Sequence, residues 1–511
     1  MMQQPQRGSR DRPLRVAIVG AGLSGLRCAD VLLQHGCQVT IFEARNRIGG
    51  RVAQSNHLGH VVDLGANWIH GTIDNPIYDI AKQCATTLHV LNEEQAIIDP
   101  DGHQIDPDEV AEHISLIWDG LVEDAYKFSN ENKDSIDPHR SLYDYFVERS
   151  TNLFTDLPPA IAERKRRTLL LITDMWGAYV GSPVTRQSLR SFWMEECLRG
   201  ETLFVAGTFS EILQEVAAHA MKRANVRLNC EVTAITTAVD ADHDNGRQCI
   251  ESSDGSRSHF DAVVVTTPLG WLKHNHQGVF RPALPSRLAQ AIENVDWGEL
   301  DKVYITFPSA FWEDQGLGDN NSLRNGAASD LGHSRRACPG GSMYLAPTYT
   351  PNTNPERWYQ ECVNLSVLPT ECAQPTLLFY THGECSKYLA GLVSGAKTTS
   401  EGDAKVLEFF RPYYALLPNY DPANPACIPK GVLATAWAAD KWAGYGSYSN
   451  FLTGVVHADK DIEAMRLGLP ERGVYLAGEH TAPFLALGTT TGAYLSGQKV
   501  AERILRDCSV A

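Results

Sequence analysis

Residues 15–51 read RVAIVGAGLSGLRCADVLLQHGCQVTIFEARNRIGGR. The run Val16-Ala17-Ile18-Val19 is continuously apolar, the pattern of a parallel strand buried on both faces. Gly20, Gly22 and Gly25 follow at G-x-G-x-x-G spacing, and Leu26, Ala29 and Leu33 recur at helical spacing. A second apolar run, Val39 to Phe42, ends at Glu43. Strand, glycine turn, helix, strand and acid in this order predict a βαβ unit that binds a dinucleotide. Gly20 permits the tight turn, Gly22 lets the backbone approach a pyrophosphate, and Gly25 lets helix and strand pack closely. Leu23 and Ser24 open the helix, whose free N–H groups and partial positive charge favour phosphate. Glu43 stands where a carboxylate accepts from ribose hydroxyls. At this point NAD and FAD are both open.

The residues after the acid narrow the choice. Glu43, Arg45, Gly49-Gly50 and Arg51 make E-x-R-x-x-x-G-G-R, two arginines and a second glycine turn suited to a longer, buried dinucleotide. This arrangement resembles FAD-binding oxidoreductases of the glutathione-reductase-like type, and within them the flavin amine oxidases. Arg45, Gly50 and Arg51 join the cofactor residues on that basis.

Length and composition bound the remaining classes. A chain of 511 residues is long enough for two or more hydrophobic cores. Its 43% hydrophobic and 21% charged content is ordinary for a globular protein. A net charge of −16 argues against nucleic acid and is compatible with a cationic substrate. The 12 cysteines form no C-x-x-C pair and read as reduced thiols. Residues 1–13 read as a polar, disordered lead, not a signal or transit peptide. No apolar run has the length of a membrane span, and Ser509-Val510-Ala511 is not the peroxisomal tripeptide. A cytoplasmic location follows by default.

Residues 14–75, 203–285 and 431–511 are strand-rich and glycine-punctuated, and they are expected to form one FAD-binding domain from discontinuous segments. Residues 76–202 (helical) and 286–430 (mixed) are expected to form a substrate-binding domain. The stretch 313–341 is rich in Gly, Asn, Ser and Asp and reads as a long loop. VRLNCEVTAI, residues 226–235, reads as a strand pair with a backbone contact to adenine at Val232.

Further motifs carry the resemblance toward polyamine oxidases of the spermine and N1-acetylpolyamine type. LGANWIHG, residues 64–71, matches the family's turn beside the isoalloxazine, which implies flavin contacts from Asn67 and Trp68 and a substrate-side role for His70. No arginine falls between Arg51 and His70, which disfavours an amino-acid oxidase. Lys302, in LDKVYITF, matches the lysine that holds a water at flavin N5. In TAWAADKWAGYGSYSNF, residues 435–451, Trp437 and Tyr448 match the aromatic walls of the substrate site, while Trp442 and Tyr445 read as core. The stretch Gly446-Ser447-Tyr448-Ser449 has no cysteine for a covalent flavin link, so the FAD is expected to be non-covalent. Gly478, Glu479, Thr489 and Thr490 match the segments that complete the cofactor site. Glu195 and Glu196 read as a solvated helical pair, with binding of distal amino groups as the other reading; Asp440 reads as a turn residue or a third such acid.

The resemblance implies an α/β protein with a GR2-type, Rossmann-like FAD domain and an α+β substrate domain carrying a mixed six-stranded sheet. It implies oxidation of a carbon–nitrogen bond of a small-molecule amine by hydride transfer to flavin, with O2 reduced to H2O2. Lys302 and His70 are then the catalytic residues, and His70, Trp437 and Tyr448 the substrate-binding ones. No nucleic acid, membrane or metal partner is expected, and oligomeric state is open. A histone demethylase is disfavoured because the βαβ unit begins by residue 15, ahead of which no helical module stands, and no long coiled insertion follows. The alternative is a specialised-metabolite oxidase acting on an alkaloid or monoamine. From another class, a flavin-binding protein without turnover is opposed by the intact Lys302.

Overall fold

A computed structural model describes residues 12–91, 95–238, 247–313 and 338–508. Residues 1–11 of the polar lead, most of the 313–341 stretch and the last three residues lie outside the described residues.

The chain opens with β1 (Arg15–Val19), α1 (Leu23–Gln34) and β2 (Gln38–Phe42), and then β3 (Trp68–His70) and β4 (Gln95–Ile98). A helical region follows, with α2 (Pro107–Ser115), α3 (Glu123–Asn132) and α4 (Met175–Val180). Asp106 caps α2 by accepting from the N–H groups of Asp108 and Glu109, with Pro107 in the first turn. Between α2 and α3 the helix continues as a π-turn, Leu116–Val122. Next come β5 (Thr202–Phe204), α5 (Ser210–Arg223), β6 (Asn225–Arg227), β7 (Val232–Thr237) and β8 (Ala262–Val265). The second half holds β9 (Leu300–Thr306), β10 (Gly341–Tyr344), β11 (Gln360–Asn364), β12 (Thr376–His382), β13 (Gly431–Ala434), β14 (Val474–Leu476) and the last helix, α6 (Thr490–Asp507).

Two sheets position the site. One is fully parallel, in the order β14-β8-β1-β2-β6. Its central strand is buried along Val16–Val19, as the apolar run requires. The helices α1 and α6 pack on each other so closely that a Cβ added at Gly497 would lie 2.1 Å from the Ser24 carbonyl oxygen. The other sheet has six strands in the order β13-β9-β12-β11-β10-β4, antiparallel except for the β10–β4 pair. The result is a mixed α/β architecture. The edge strand β13 begins at Gly431 and pairs with β9, so this stretch belongs to the six-stranded sheet.

One expectation needs correction. VRLNCEVTAI is not a strand pair: β6 joins the parallel sheet, whereas β7 belongs to a separate four-stranded sheet. Asn229, at φ +53°, turns the chain between them, and the N–H groups of Asn229 and Cys230 donate to the carbonyls of Arg45 and Glu43. All 12 cysteines are free thiols. Among the described residues, no helix is long and apolar enough to cross a membrane.

Candidate active site

A cavity of about 1380 Å³ runs from the carboxyl ends of β1 and β2 to one face of the six-stranded sheet. Nearly all the residues singled out from the sequence line it. Gly20, Gly22, Leu23, Ser24, Glu43, Arg45, Gly50, Arg51, Val232, Gly478, Glu479, Thr489 and Thr490 line one part. Asn67, Trp68, His70, Lys302, Trp437 and Tyr448 line the other. Gly25 is the exception. It lies behind the wall, where an added Cβ would sit 2.1 Å from the Gly20 carbonyl oxygen, so it packs helix on turn.

The first part is built to receive an anionic dinucleotide. Gly20 sits at φ +110°, a region closed to most side chains. Gly22 is the N-cap of α1 and brings no side-chain cap, so the first N–H groups of the helix face the cavity unpartnered by one. The Ser24 hydroxyl is buried and has no hydrogen-bond partner. A phosphate oxygen would supply the acceptor that these groups lack. The buried Glu43 carboxylate accepts from the N–H groups of Ala21 and Arg45, both at 2.8 Å, which fixes it at the rim of the glycine turn. Arg45 turns to Asp440 at 2.8 Å, so Asp440 is an ion-pair and turn residue. Arg51 pairs with Glu479 at 3.0 Å and also donates to the Ser447 carbonyl. Burial pushes the Glu479 carboxyl up, but Arg51, His480 and Ser449 outweigh it and hold the group below the usual range. Thr489 caps α6 by accepting from the N–H of Gly492 at 2.9 Å.

The second part centres on Lys302. Its Nζ donates to the carbonyl oxygen of Gly65 and reaches that of Asp63 at 3.5 Å. It lies 5.7 Å from the ring centre of Tyr380. Burial depresses the lysine pKa, against a smaller opposing pull from Asp63 and Asp301. Burial likewise raises the Asp63 carboxyl, which accepts from Gln54 and the N–H of Phe209. The backbone is held by Asp301, whose carboxylate accepts from Thr435 Oγ1 at 2.6 Å and from the N–H groups of Trp437 at 2.7 Å and Ala438 at 3.2 Å. Asp301 thereby sets the position of Trp437, whose indole N–H donates to Leu64 at 2.9 Å. His70 lies on β3, and burial lowers its pKa to about 4, so the imidazole is neutral near pH 7. The Tyr448 hydroxyl donates to the Tyr179 carbonyl.

Several wall residues carried no local signal. Tyr380, on β12, faces Lys302, and its hydroxyl accepts from Asn67 Nδ2 at 2.8 Å and Trp68 Nε1 at 2.9 Å. Glu361, on β11, faces Tyr380, and burial pushes its carboxyl up to about 7. Trp118, Tyr126, Trp176 and Tyr179 form a ring-on-ring wall contributed by the helical region. Trp442 packs partly buried against the core and also lines the cavity, whereas Tyr445 is exposed and packs on His274. Glu195 and Glu196 part company: Glu196 is exposed, while Glu195 lines the cavity with one carboxylate oxygen buried and unpartnered, and burial raises its pKa to about 8.

The family model described as flavin containing amine oxidoreductase matches residues 23–505. The chain is 26% identical, over 542 aligned residues, to the peroxisomal N(1)-acetyl-spermine/spermidine oxidase of Homo sapiens, covering 96% of this chain and 94% of that protein. It is 27% identical over 309 residues to probable polyamine oxidase 4 of Arabidopsis thaliana, 58% of this chain and 59% of the relative. It is also 26% identical over 521 residues to lysine-specific histone demethylase 1 homolog 1 of Oryza sativa subsp. japonica. That match covers 97% of this chain but 52% of the rice protein, so the chain spans about half of it.

Proposed function

The chain belongs to the flavin-containing amine oxidoreductase family, and from that premise we propose that it is a polyamine oxidase. FAD is its cofactor, and when bound it supplies a two-electron acceptor for hydride from the carbon next to an amine nitrogen, with O2 as the final oxidant. We read segments 14–75, 203–285 and 431–511 as a GR2-type domain that holds FAD without a covalent link. The parallel sheet supports this, since its strands come only from residues 15–42, 225–227, 262–265 and 474–476. The six-stranded sheet with segments 76–202 and 286–430 forms the substrate side, and β13 extends that side to residue 434.

The observation that carries the polyamine reading is the charge of the wall. Among the described residues that line the cavity, the basic ones are Arg45, Arg51 and Lys302, and both arginines are engaged by carboxylates. Beyond Lys302 the acidic wall residues are Asp108, Asp119, Glu195 and Glu361, the last two raised by burial to about 8 and about 7, interleaved with tryptophan and tyrosine rings. Such a wall attracts a chain of ammonium groups and shelters its methylenes.

The chain's own residues divide the remaining work. The amine must be unprotonated for its α C–H to leave as hydride. Neutral His70 offers an acceptor to an N–H and orients it. Lys302, depressed by burial and anchored on Gly65, has donor capacity left to hold a water and moves a proton at Nζ near neutral pH. Trp437 and Tyr448 flank the substrate and exclude bulk water. Water then hydrolyses the iminium product to an aldehyde and an amine.

The test is product identification by mass spectrometry, with a peroxide assay, after incubation of the holoenzyme with spermine, spermidine and their N1-acetyl forms. Peroxide with an aminoaldehyde from at least one is the expected result. Turnover of aromatic monoamines alone would assign the site to specialised-metabolite oxidation instead.

A further inference from the structure

Lys302 sits on a segment that carries a buried acid. Its Nζ donates to the Gly65 carbonyl and reaches that of Asp63 at 3.5 Å. Tyr304, two positions along β9 and so on the same face, donates its hydroxyl to the Asp63 carbonyl at 2.6 Å. The segment is held firmly. Val62–Asp63 pairs with Gln54–Ser55, and the Leu64 N–H donates to the Ala53 carbonyl at 2.8 Å. At Gly65 an added Cβ would lie 1.5 Å from the Arg51 carbonyl oxygen. An aspartate carboxylate stands within about 5 Å of its own carbonyl oxygen, so that of Asp63 lies within roughly 9 Å of Nζ.

Asp63 is 3% exposed and stands behind the cavity wall. Its carboxylate accepts from Gln54 Nε2 at 2.7 Å and from the Phe209 N–H at 3.0 Å, at the head of α5. Among the described residues, the basic group whose charge it feels is Lys302. The other charged groups around the lysine are committed elsewhere. Asp301, its neighbour in β9, projects from the opposite face and is occupied by Thr435, Trp437 and Ala438. Arg51 turns its guanidinium to Glu479 and Ser447. Tyr304 and Tyr380 face the lysine, and burial keeps both phenols protonated. Glu361 lies one strand beyond Tyr380. Burial drives the Asp63 carboxyl up and the Lys302 amine down, and each pulls the other back.

We propose that Asp63 is a positioning residue for the reaction: from behind the wall its carboxylate acts as the counter-charge of Lys302 and sets the pH range in which that lysine carries and hands on a proton. Nζ gives the proton up on the cavity side and regains one from water. The inference rests on the reading of Lys302 as the proton-moving group of an amine-oxidising site, but neither arm of its test needs an amine.

The first arm follows the reoxidation by O2 of photoreduced, FAD-loaded protein in a stopped-flow instrument from pH 5.5 to 9.5. The parent is expected to show an inflection that Lys302→Met abolishes. Asp63→Asn keeps the shape of the side chain and should move that inflection down by about one pH unit, the effect of one charge at this separation inside a protein. Asp63→Glu should return part of the shift. Gln54→Leu strips one donor from the carboxylate and should shift the inflection the same way by less, which carries the test if Asp63→Asn does not fold. The second arm compares urea midpoints at pH 7 for the parent, Asp63→Asn, Lys302→Met and the double variant, all with FAD in excess. The loss on Asp63→Asn should be at least about twofold smaller in the Lys302→Met background, since the counter-charge is already gone there. An inflection that stays in place in Asp63→Asn and Gln54→Leu, or one that survives Lys302→Met, overturns the assignment. Equal losses in both backgrounds also overturn it, because they mark Asp63 as an anchor of α5 alone. A shifted inflection with unequal losses, but no peroxide from any amine, would sink the polyamine oxidase reading and leave the coupling of Asp63 to Lys302 standing.

Discussion

Arg51 and Glu479 meet at 3.0 Å although 428 positions separate them. The contact joins the glycine turn after β2 to the turn after β14, and both turns line the cavity. Glu479 is buried, so removing Arg51 strands a carboxylate that Ser449 alone then partners. We expect Arg51→Ala to weaken FAD retention by two to three orders of magnitude, since breaking a buried pair costs about 3–5 kcal/mol. Absorbance of the protein after gel filtration reports this directly. A variant that keeps a full complement of FAD through dialysis would show that the pair is not part of the cofactor grip.

Lys302→Met should fold and keep FAD, because the lysine reaches the wall through carbonyl oxygens and touches no cofactor-side anion. Loss of a positioned proton-transfer group is worth about 10²–10⁴ in rate. Stopped-flow traces of flavin reduction and reoxidation separate the two half-reactions. At least one should slow by about 100-fold or more, and traces superimposable on the parent would remove Lys302 from the mechanism.

The βαβ unit was legible in the sequence because every part of it is local. Val16–Val19, the three glycines and Glu43 fall within 30 positions, and each signal depends only on its neighbours in the chain. Tyr380 and Glu361 were not legible. They enter the wall only because β9 pairs with β12 and β12 with β11, and an acid in ECVNL reads as solvent-facing until that pairing is known. The cavity-facing side of Trp442 is hidden for the same reason, since an aromatic packed on a core and one that also borders a cavity share a local pattern. The 226–235 segment differs in another way: both strands form, but a left-handed Asn229 sends them to two sheets.

His480 is fully buried, and neither ring nitrogen has a hydrogen-bond partner. Burial lowers its pKa from 6.5 to about 4. Between about pH 4 and 6.5 the unfolded chain therefore binds more protons at this residue, and stability must fall as pH drops through that window. His70 acts in the same direction, while Glu195 and Glu361, held up to about 8 and 7, act in the opposite one as pH rises. The comparison that isolates the histidine is parent against His480→Gln. In chemical denaturation across pH 4 to 7, the parent's slope should exceed the variant's by up to about 1.4 kcal/mol per pH unit. Parallel slopes would mean that His480 takes up its proton in the fold as readily as in the unfolded chain.

Two glycine-to-alanine changes should move stability in opposite directions. Gly25→Ala puts a Cβ 2.1 Å from a backbone oxygen that cannot swing away, so β1 and α1 must separate at the cofactor turn. Loss of at least about 3 kcal/mol, with loss of FAD, is the expected result. Gly391 lies in the helix Gly383–Ser394 with nothing within 4 Å of an added Cβ, and alanine there should stabilise by about 0.5–1 kcal/mol. Melting temperatures of the two variants would settle both.

The π-turn at Leu116–Val122 has a consequence for the cavity mouth. A π-turn carries more residues per revolution than the α-helix on either side, so it shifts the angular phase of everything beyond it. Asp108 and Ala111 line the cavity before the π-turn, Trp118 within it and Tyr126 beyond it. Two stretches of the cavity wall are thus drawn from one continuous rod held at two rotational settings. Loss of a single residue near Gly120 would bring the rod back into one phase and swing either Asp108 and Ala111 or Tyr126 out of the cavity.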